Sequence, residues 1–150
     1  MKKVVRTATP AAKAVLRQAT MLRPKRNKAS DGLLPSAAHQ LQNPNSDHNT
    51  GYAVDLTHDR LGGIDCADIY VRLQADKRVK YLIFKGKIWS AERGERAYDG
   101  NNQHNKHLHI SIKEQYGKDT SPWFPWMGKP NIINKVKANL PKPLPKKENK

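Results

Sequence analysis

Cysteine is almost absent from this chain: Cys66 stands alone among 150 residues. No internal disulfide can close and no cysteine-rich zinc site can form, so any metal must be held by imidazole and carboxylate. Acid is scarce as well. The first thirty residues contain none, and over the whole chain 13 Asp and Glu face 28 Lys and Arg, a net charge of +15. That excess implies a polyanionic partner, which nucleic acid or an anionic envelope surface would satisfy equally. Long apolar runs are also missing. The opening "MKKVVRTATPAAKAVLRQATML" is basic with scattered apolar residues, so neither a signal peptide nor a membrane span is expected and the protein reads as soluble. An acid-free start is also found in organelle transit peptides, but the helical spacing within it argues for a folded segment.

What is present fits one domain. At this length a single core is the expectation, with residues 1–128 forming the domain and 129–150 a basic extension, partly disordered, ending in "PKPLPKKENK". Thr9 and Pro10 read as N-cap and first helical position, and Ala11, Val15, Ala19 and Leu22 recur until Pro24, which predicts a helix over about 10–22. Residues 23–47 show no sustained period and read as mostly loop. A second helix is expected over about 65–76 behind Asp65. "VKYLIF" and "KIWS" suggest a hairpin turning at Lys85 and Gly86, and "GYAVDLT" and "HLHISI" two further strands. "SPWFPWM" reads as an aromatic loop and "NIINKVKANL" as a short helix. The fold class is α+β: a small, mostly antiparallel sheet with helices on one face.

Three of the six histidines, His104, His107 and His109, lie within six positions. The period of two along a strand puts His107, His109 and Ser111 on one face and Leu108, Ile110 and Ile112 on the other. The same rule separates Ala53, Asp55 and Thr57 from Tyr52, Val54 and Leu56. If the two strands are neighbours, Asp55 and the histidine pair share a surface. His48 precedes a turn at Asn49, Thr50 and Gly51 that can deliver it to the same place. Two imidazoles and one carboxylate with a free fourth position describe a catalytic zinc site, in which bound water is acidified toward neutral pH. Two bland alternatives stay open: a solvated polar face, or a closed structural zinc site with His107 as fourth ligand.

The string Ser46-Asp47-His48-Asn49-Thr50-Gly51-Tyr52-Ala53-Val54-Asp55 resembles the S-x-H-x-x-G-x-A-x-D signature of the LAS (Hedgehog-like) zinc peptidases that cut peptidoglycan peptides, and "HLH" is similar to their downstream H-x-H. These include D-Ala-D-Ala carboxypeptidases, phage L-alanyl-D-glutamate endolysins and penicillin-insensitive murein endopeptidases. The resemblance covers roughly residues 30–115. It implies a zinc cleft on the sheet face away from the helices, with zinc bound by His48, Asp55 and His109, and with His107 beside the metal stabilising the transition state. Many members carry an acid as general base where this chain has Lys106. The H-x-x-H-x-H pattern of His104, His107 and His109 is similar instead to the murein endopeptidases, where histidine replaces the acid, so His104 is the expected base, with Glu92, Glu95 and Asp99 in reserve.

Ser46, Trp89 and Lys106 are expected to contact substrate. The partners implied are a peptidoglycan peptide and, through the basic surface, an anionic cell envelope. A monomer is expected, without a specific nucleic acid, in the host cytoplasm before release to the wall or carried in a virion. Two rival functions remain: a basic nucleic-acid-binding protein, and a metal-dependent nuclease, since His and Asp sets also hold metals that cleave phosphodiesters.

Overall fold

The computed structural model describes residues 7–128. Five antiparallel strands form one sheet in the order β1-β5-β2-β3-β4: β1 (Ala53–Thr57), β2 (Val79–Phe84), β3 (Lys87–Ser90), β4 (Gly94–Ala97) and β5 (His107–Ile112). The protein is a small α+β fold. β5, the last strand in sequence, inserts between β1 and β2, so the two strands expected to share a surface are direct neighbours.

Helix α1 spans Pro10–Leu22, capped by the Thr9 hydroxyl, which accepts from the Ala12 amide. Its buried side is built from small residues, Ala11, Ala12, Ala14, Val15 and Ala19, which lets the helix lie close against β1. Helix α3 (Cys66–Arg72) starts at Asp65, whose carboxylate accepts from the Ala67 and Asp68 amides, and continues as a 3-10 turn over Leu73–Ala75. Together α1 and α3 cover one face of the sheet, where Val54, Leu56, Leu82, Leu108 and Ile110 are fully buried. Burying each such side chain contributes roughly 1.5–3 kcal/mol.

The aromatic segment belongs to this core. Trp123 and Phe124 are buried; the Trp123 indole N–H donates to the Ala11 carbonyl at 3.1 Å, and the Arg78 guanidinium lies 3.6 Å from the Trp123 ring centroid. Arg78 itself is tied to Asp76 and to the carbonyls of Ser121 and Pro122, which staples the aromatic loop to the start of β2.

Two elements lie outside the sequence expectation. Within 23–47 a short helix, α2 (Ala37–Gln42), forms behind Ser36, whose hydroxyl caps the His39 amide. The segment after β3, expected as loop, instead returns as β4 and pairs with β3 from Lys87↔Ala97 to Ser90↔Gly94. The helix expected within 131–140 and the basic tail lie outside the described residues. Among the described residues no helix is long and apolar enough to cross a membrane.

Candidate metal centre and cleft

The antiparallel register sets Asp55 opposite His109, Thr57 opposite His107 and Ala53 opposite Ser111. On the other side of β5, Tyr81 pairs with Ser111 and Ile83 with His109. Cross-strand partners share a face, so the surface away from the helices gathers Asp55, His107, His109, Ser111, Tyr81 and Ile83. The Tyr81 ring stacks on His109 with centroids 5.3 Å apart.

His48 reaches this surface from a 3-10 turn over Asp47–Thr50, opened by the Ser46 hydroxyl on the His48 amide and closed by Gly51. Gly51 has φ 81°, and a Cβ there would stand 2.9 Å from the Thr7 carbonyl oxygen, so both the left-handed backbone and the close packing against the start of α1 need glycine. The Thr9 amide and hydroxyl both donate to the Gly51 carbonyl, fastening the turn to the helix cap.

Donor atoms of His48, Asp55 and His109 all lie within 4.8 Å of one another. His48 Nε2 is 3.3 Å and His109 Nδ1 3.2 Å from Asp55 Oδ1. The outer nitrogen of each ring is occupied: His48 Nδ1 is 2.7 Å from the Leu33 carbonyl, and His109 Nε2 is 2.8 Å from the Ser111 hydroxyl. A carbonyl can only accept, so His48 Nδ1 carries its proton and Nε2 is left to bind; ligating histidines are commonly held in this way. The donor set, its spacing and these outer hydrogen bonds are those of a group that could hold a metal ion.

Electrostatics favour a cation here. Burial opposes ionisation of Asp55, but hydrogen bonds from His109 and His48 outweigh it and hold the carboxyl well below the usual range. Burial likewise opposes a proton on His48, yet the Asp55 carboxylate and the Leu33 carbonyl raise its pKa above the ordinary value. A position that stabilises positive charge on an imidazole offers the same potential to a metal.

Beside these three residues stand His104 and His107, their rings 4.9 Å apart. His107 Nε2 is 3.6 Å from Asp55 Oδ2. His104 has φ 58°, its amide donating to the Asn102 side chain and its carbonyl accepting from the Lys85 amide. Burial, then the neighbouring His109 and His107, push the His104 imidazole down to about 4; burial also lowers His107. The His104 ring is thereby kept neutral at neutral pH.

The site opens into a cleft of about 820 Å³ walled by the segment from Gln42 to Ser46 and by Tyr98, Gly100, Asn101, Asn102 and His104. Ser46 lies in this wall. Trp89 does not reach it: in register with Leu82, it packs against the helix-covered core, because its position on β3 has the parity of the apolar face. Lys106 is exposed and outside the lining, its carbonyl accepting from the His58 amide. Of the reserve acids, Glu95 lies on β4 and accepts from the Tyr70 hydroxyl at 3.0 Å, and neither Glu92 nor Asp99 lines the cleft.

His39 lies outside the S-x-H-x-x-G-x-A-x-D pattern. Here it lines the cleft, with Nε2 3.2 Å from the Ser46 hydroxyl. The Leu33 carbonyl was also missed, and no side-chain pattern could reveal it. Its loop is held by Arg26 and Asp31, paired at 3.0 and 2.6 Å, and by Gly32, whose amide and carbonyl both bond the backbone of Asp55.

Against known families, residues 6–109 match the VldE, C-terminal domain model. The chain belongs to that family. The matched stretch includes His48, Asp55, His104, His107 and His109. No curated protein and no solved structure matches.

Proposed function

We propose that this VldE C-terminal-domain protein is a zinc peptidase that hydrolyses peptide bonds in peptidoglycan stem peptides or cross-links, working in a LAS-like zinc cleft. The observation that carries the reading is the convergence of donor atoms of His48, Asp55 and His109 within 4.8 Å of one another, with His48 Nε2 and His109 Nδ1 3.3 and 3.2 Å from Asp55 Oδ1 and both outer nitrogens hydrogen-bonded. The order of these residues in the S-x-H-x-x-G-x-A-x-D and H-x-H patterns supports it, and the net charge of +15 suits an anionic envelope.

Zinc held by His48, Asp55 and His109 would act as a Lewis acid toward the scissile carbonyl and make a water molecule nucleophilic near neutral pH. The protein supplies the rest. Leu33 and Ser111 fix the orientation of the two ligand rings. His104, kept neutral by burial, accepts the proton of the attacking water and returns it to the leaving amine. His107, whose Nε2 lies 3.6 Å from Asp55 Oδ2, would stabilise the charge that develops on the scissile oxygen. Ser46 and the Asn101–Asn102 wall orient the peptide through neutral hydrogen bonds. The protein acts as a monomer, reaching the wall from the host cytoplasm or as part of a virion.

The test combines bound zinc with release of fragments from purified peptidoglycan, in wild type, His48→Ala and His109→Ala. Both variants should lose zinc and wall cleavage together. Full cleavage by both zinc-free variants sinks the assignment. Mass spectrometry of the fragments would assign the bond among L-Ala-D-Glu, D-Ala-diaminopimelate and D-Ala-D-Ala.

A further inference from the structure

The two oxygens of Asp55 face different histidines. Oδ1 serves His48 and His109, at 3.3 and 3.2 Å. Oδ2 looks toward His107 Nε2 at 3.6 Å, within ion-pair range but too long for a hydrogen bond. Asp55, His104 and His107 make a second group whose donor atoms lie within 4.8 Å of one another. Within it, His104 Nδ1 and His107 Nε2 are buried without a hydrogen-bond partner.

Two orphaned imidazole nitrogens beside a carboxylate oxygen are a costly arrangement for a protein to keep unless something occupies it. The backbone adds to the cost: His104 is held at φ 58°, in the left-handed region, by Asn102 and Lys85. Strain of this kind persists where the surroundings over-determine a position, and it clusters at ligand sites. Two imidazoles and a carboxylate suit zinc among the available divalent cations.

We propose that Asp55, His104 and His107 form a second zinc site, weaker than the first, whose occupancy inhibits the enzyme. The inhibitory part rests on the peptidase reading above, in which His104 moves the proton and His107 faces the developing charge; a cation on both rings removes both functions. Weaker binding follows from the shared ligand. Asp55 belongs to both groups, so a second ion would arrive against the charge of the first and share its carboxylate.

The experiment is a zinc titration of the chelator-stripped full chain, followed by calorimetry and by metal analysis after gel filtration, with peptidoglycan release measured alongside. Wild type should bind two equivalents, the second at least about tenfold more weakly, and release should rise over the first and fall over the second. His107→Ala and His104→Asn should keep the tight equivalent and lose the second; asparagine is chosen because it tolerates a left-handed backbone. A single equivalent in wild type overturns the proposal, as does a second equivalent that persists in both variants. Two equivalents without a fall in release retain the site and overturn its inhibitory role. The underlying peptidase reading fails on a separate result, tight zinc binding that survives in both His48→Ala and His109→Ala.

Discussion

Asp55 and His109 are Cα partners across the β1–β5 ladder, and His109 Nδ1 lies 3.2 Å from the Asp55 carboxylate. The contact depends on register alone. A slip of one residue would turn one of the two side chains into the core, where Leu56 and Leu108, the neighbouring partners, are buried. The apolar positions that hold the sheet against α1 and α3 therefore also hold two of the three candidate metal ligands together.

Ser111→Ala removes the hydroxyl that engages His109 Nε2 at 2.8 Å. The ring loses its orienting partner but keeps its packing against Tyr81. Zinc affinity, measured by competition with a chelator, should fall about 10- to 100-fold, while the unfolding midpoint stays close to wild type. Unchanged affinity would mean that the Tyr81 stack orients His109 unaided.

His104→Asn tests the proton transfer. At the first zinc equivalent, turnover should fall about 10²- to 10⁴-fold with the tight site still filled. Near-normal turnover would transfer the role to His107, whose Nε2 lies 3.6 Å from Asp55 Oδ2, or to an acid of the segment from 91 to 103.

The metal-free protein should lose stability as pH falls from 6.5 toward 4. His104 is pushed from 6.5 down to about 4 in the folded state, so across that window the unfolded chain binds the extra proton and is favoured. His107, also lowered, acts in the same sense. His48 is raised, so its stabilising contribution is complete below 6.5 and is lost as pH rises through its folded value. Asp55, held low, stabilises above 3.8 and gives that up in stronger acid. Melting temperature across this range reports the sum, and His104→Asn should flatten the fall between 6.5 and 4. An equally steep fall in that variant would assign the effect to other groups.

Arg26→Met leaves Asp31 without its guanidinium. The Arg26 side chain is 1% exposed and the pair is bidentate, and breaking a buried pair from one side costs about 3 kcal/mol. Asp31 also accepts from the Thr57 amide and hydroxyl, so β1 and the Leu33 loop should loosen together. Denaturant unfolding should show the loss, and zinc affinity should weaken with it through His48. A loss under about 1 kcal/mol would place the pair among ordinary surface ion pairs.

How far the sequence could be read differs from element to element. Thr9-Pro10 and the spacing of Ala11, Val15 and Ala19 were enough for α1, and the observed helix runs from Pro10 to Leu22. The turn at Lys85 and Gly86 was equally local. By contrast, β4 has the composition "GERA", which carries no strand preference of its own and forms because β3 offers an unpaired edge. Helix α2 has six residues, too few for a period to show, and its one signal was the Ser36 cap. Trp89 was expected at the substrate because aromatic rings can line a peptide or glycan groove; in register with Leu82, it packs against the core.

The sequence by itself determined the chemistry of the donors. One cysteine leaves imidazole and carboxylate for any metal, alternation puts His107, His109 and Ser111 on one side of β5, and Gly51 permits the turn that carries His48. These are covalent and short-range facts, set by a period of two and by what a glycine backbone can do. Only the tertiary structure decided that Asp55 faces His109 and that the Leu33 carbonyl orients His48, contacts spanning 54 and 15 residues of chain. It alone also gave Asp55 two sides, one toward His48 and His109 and one toward His107, because those distances are set by how the hydrophobic core aligns β1 with β5.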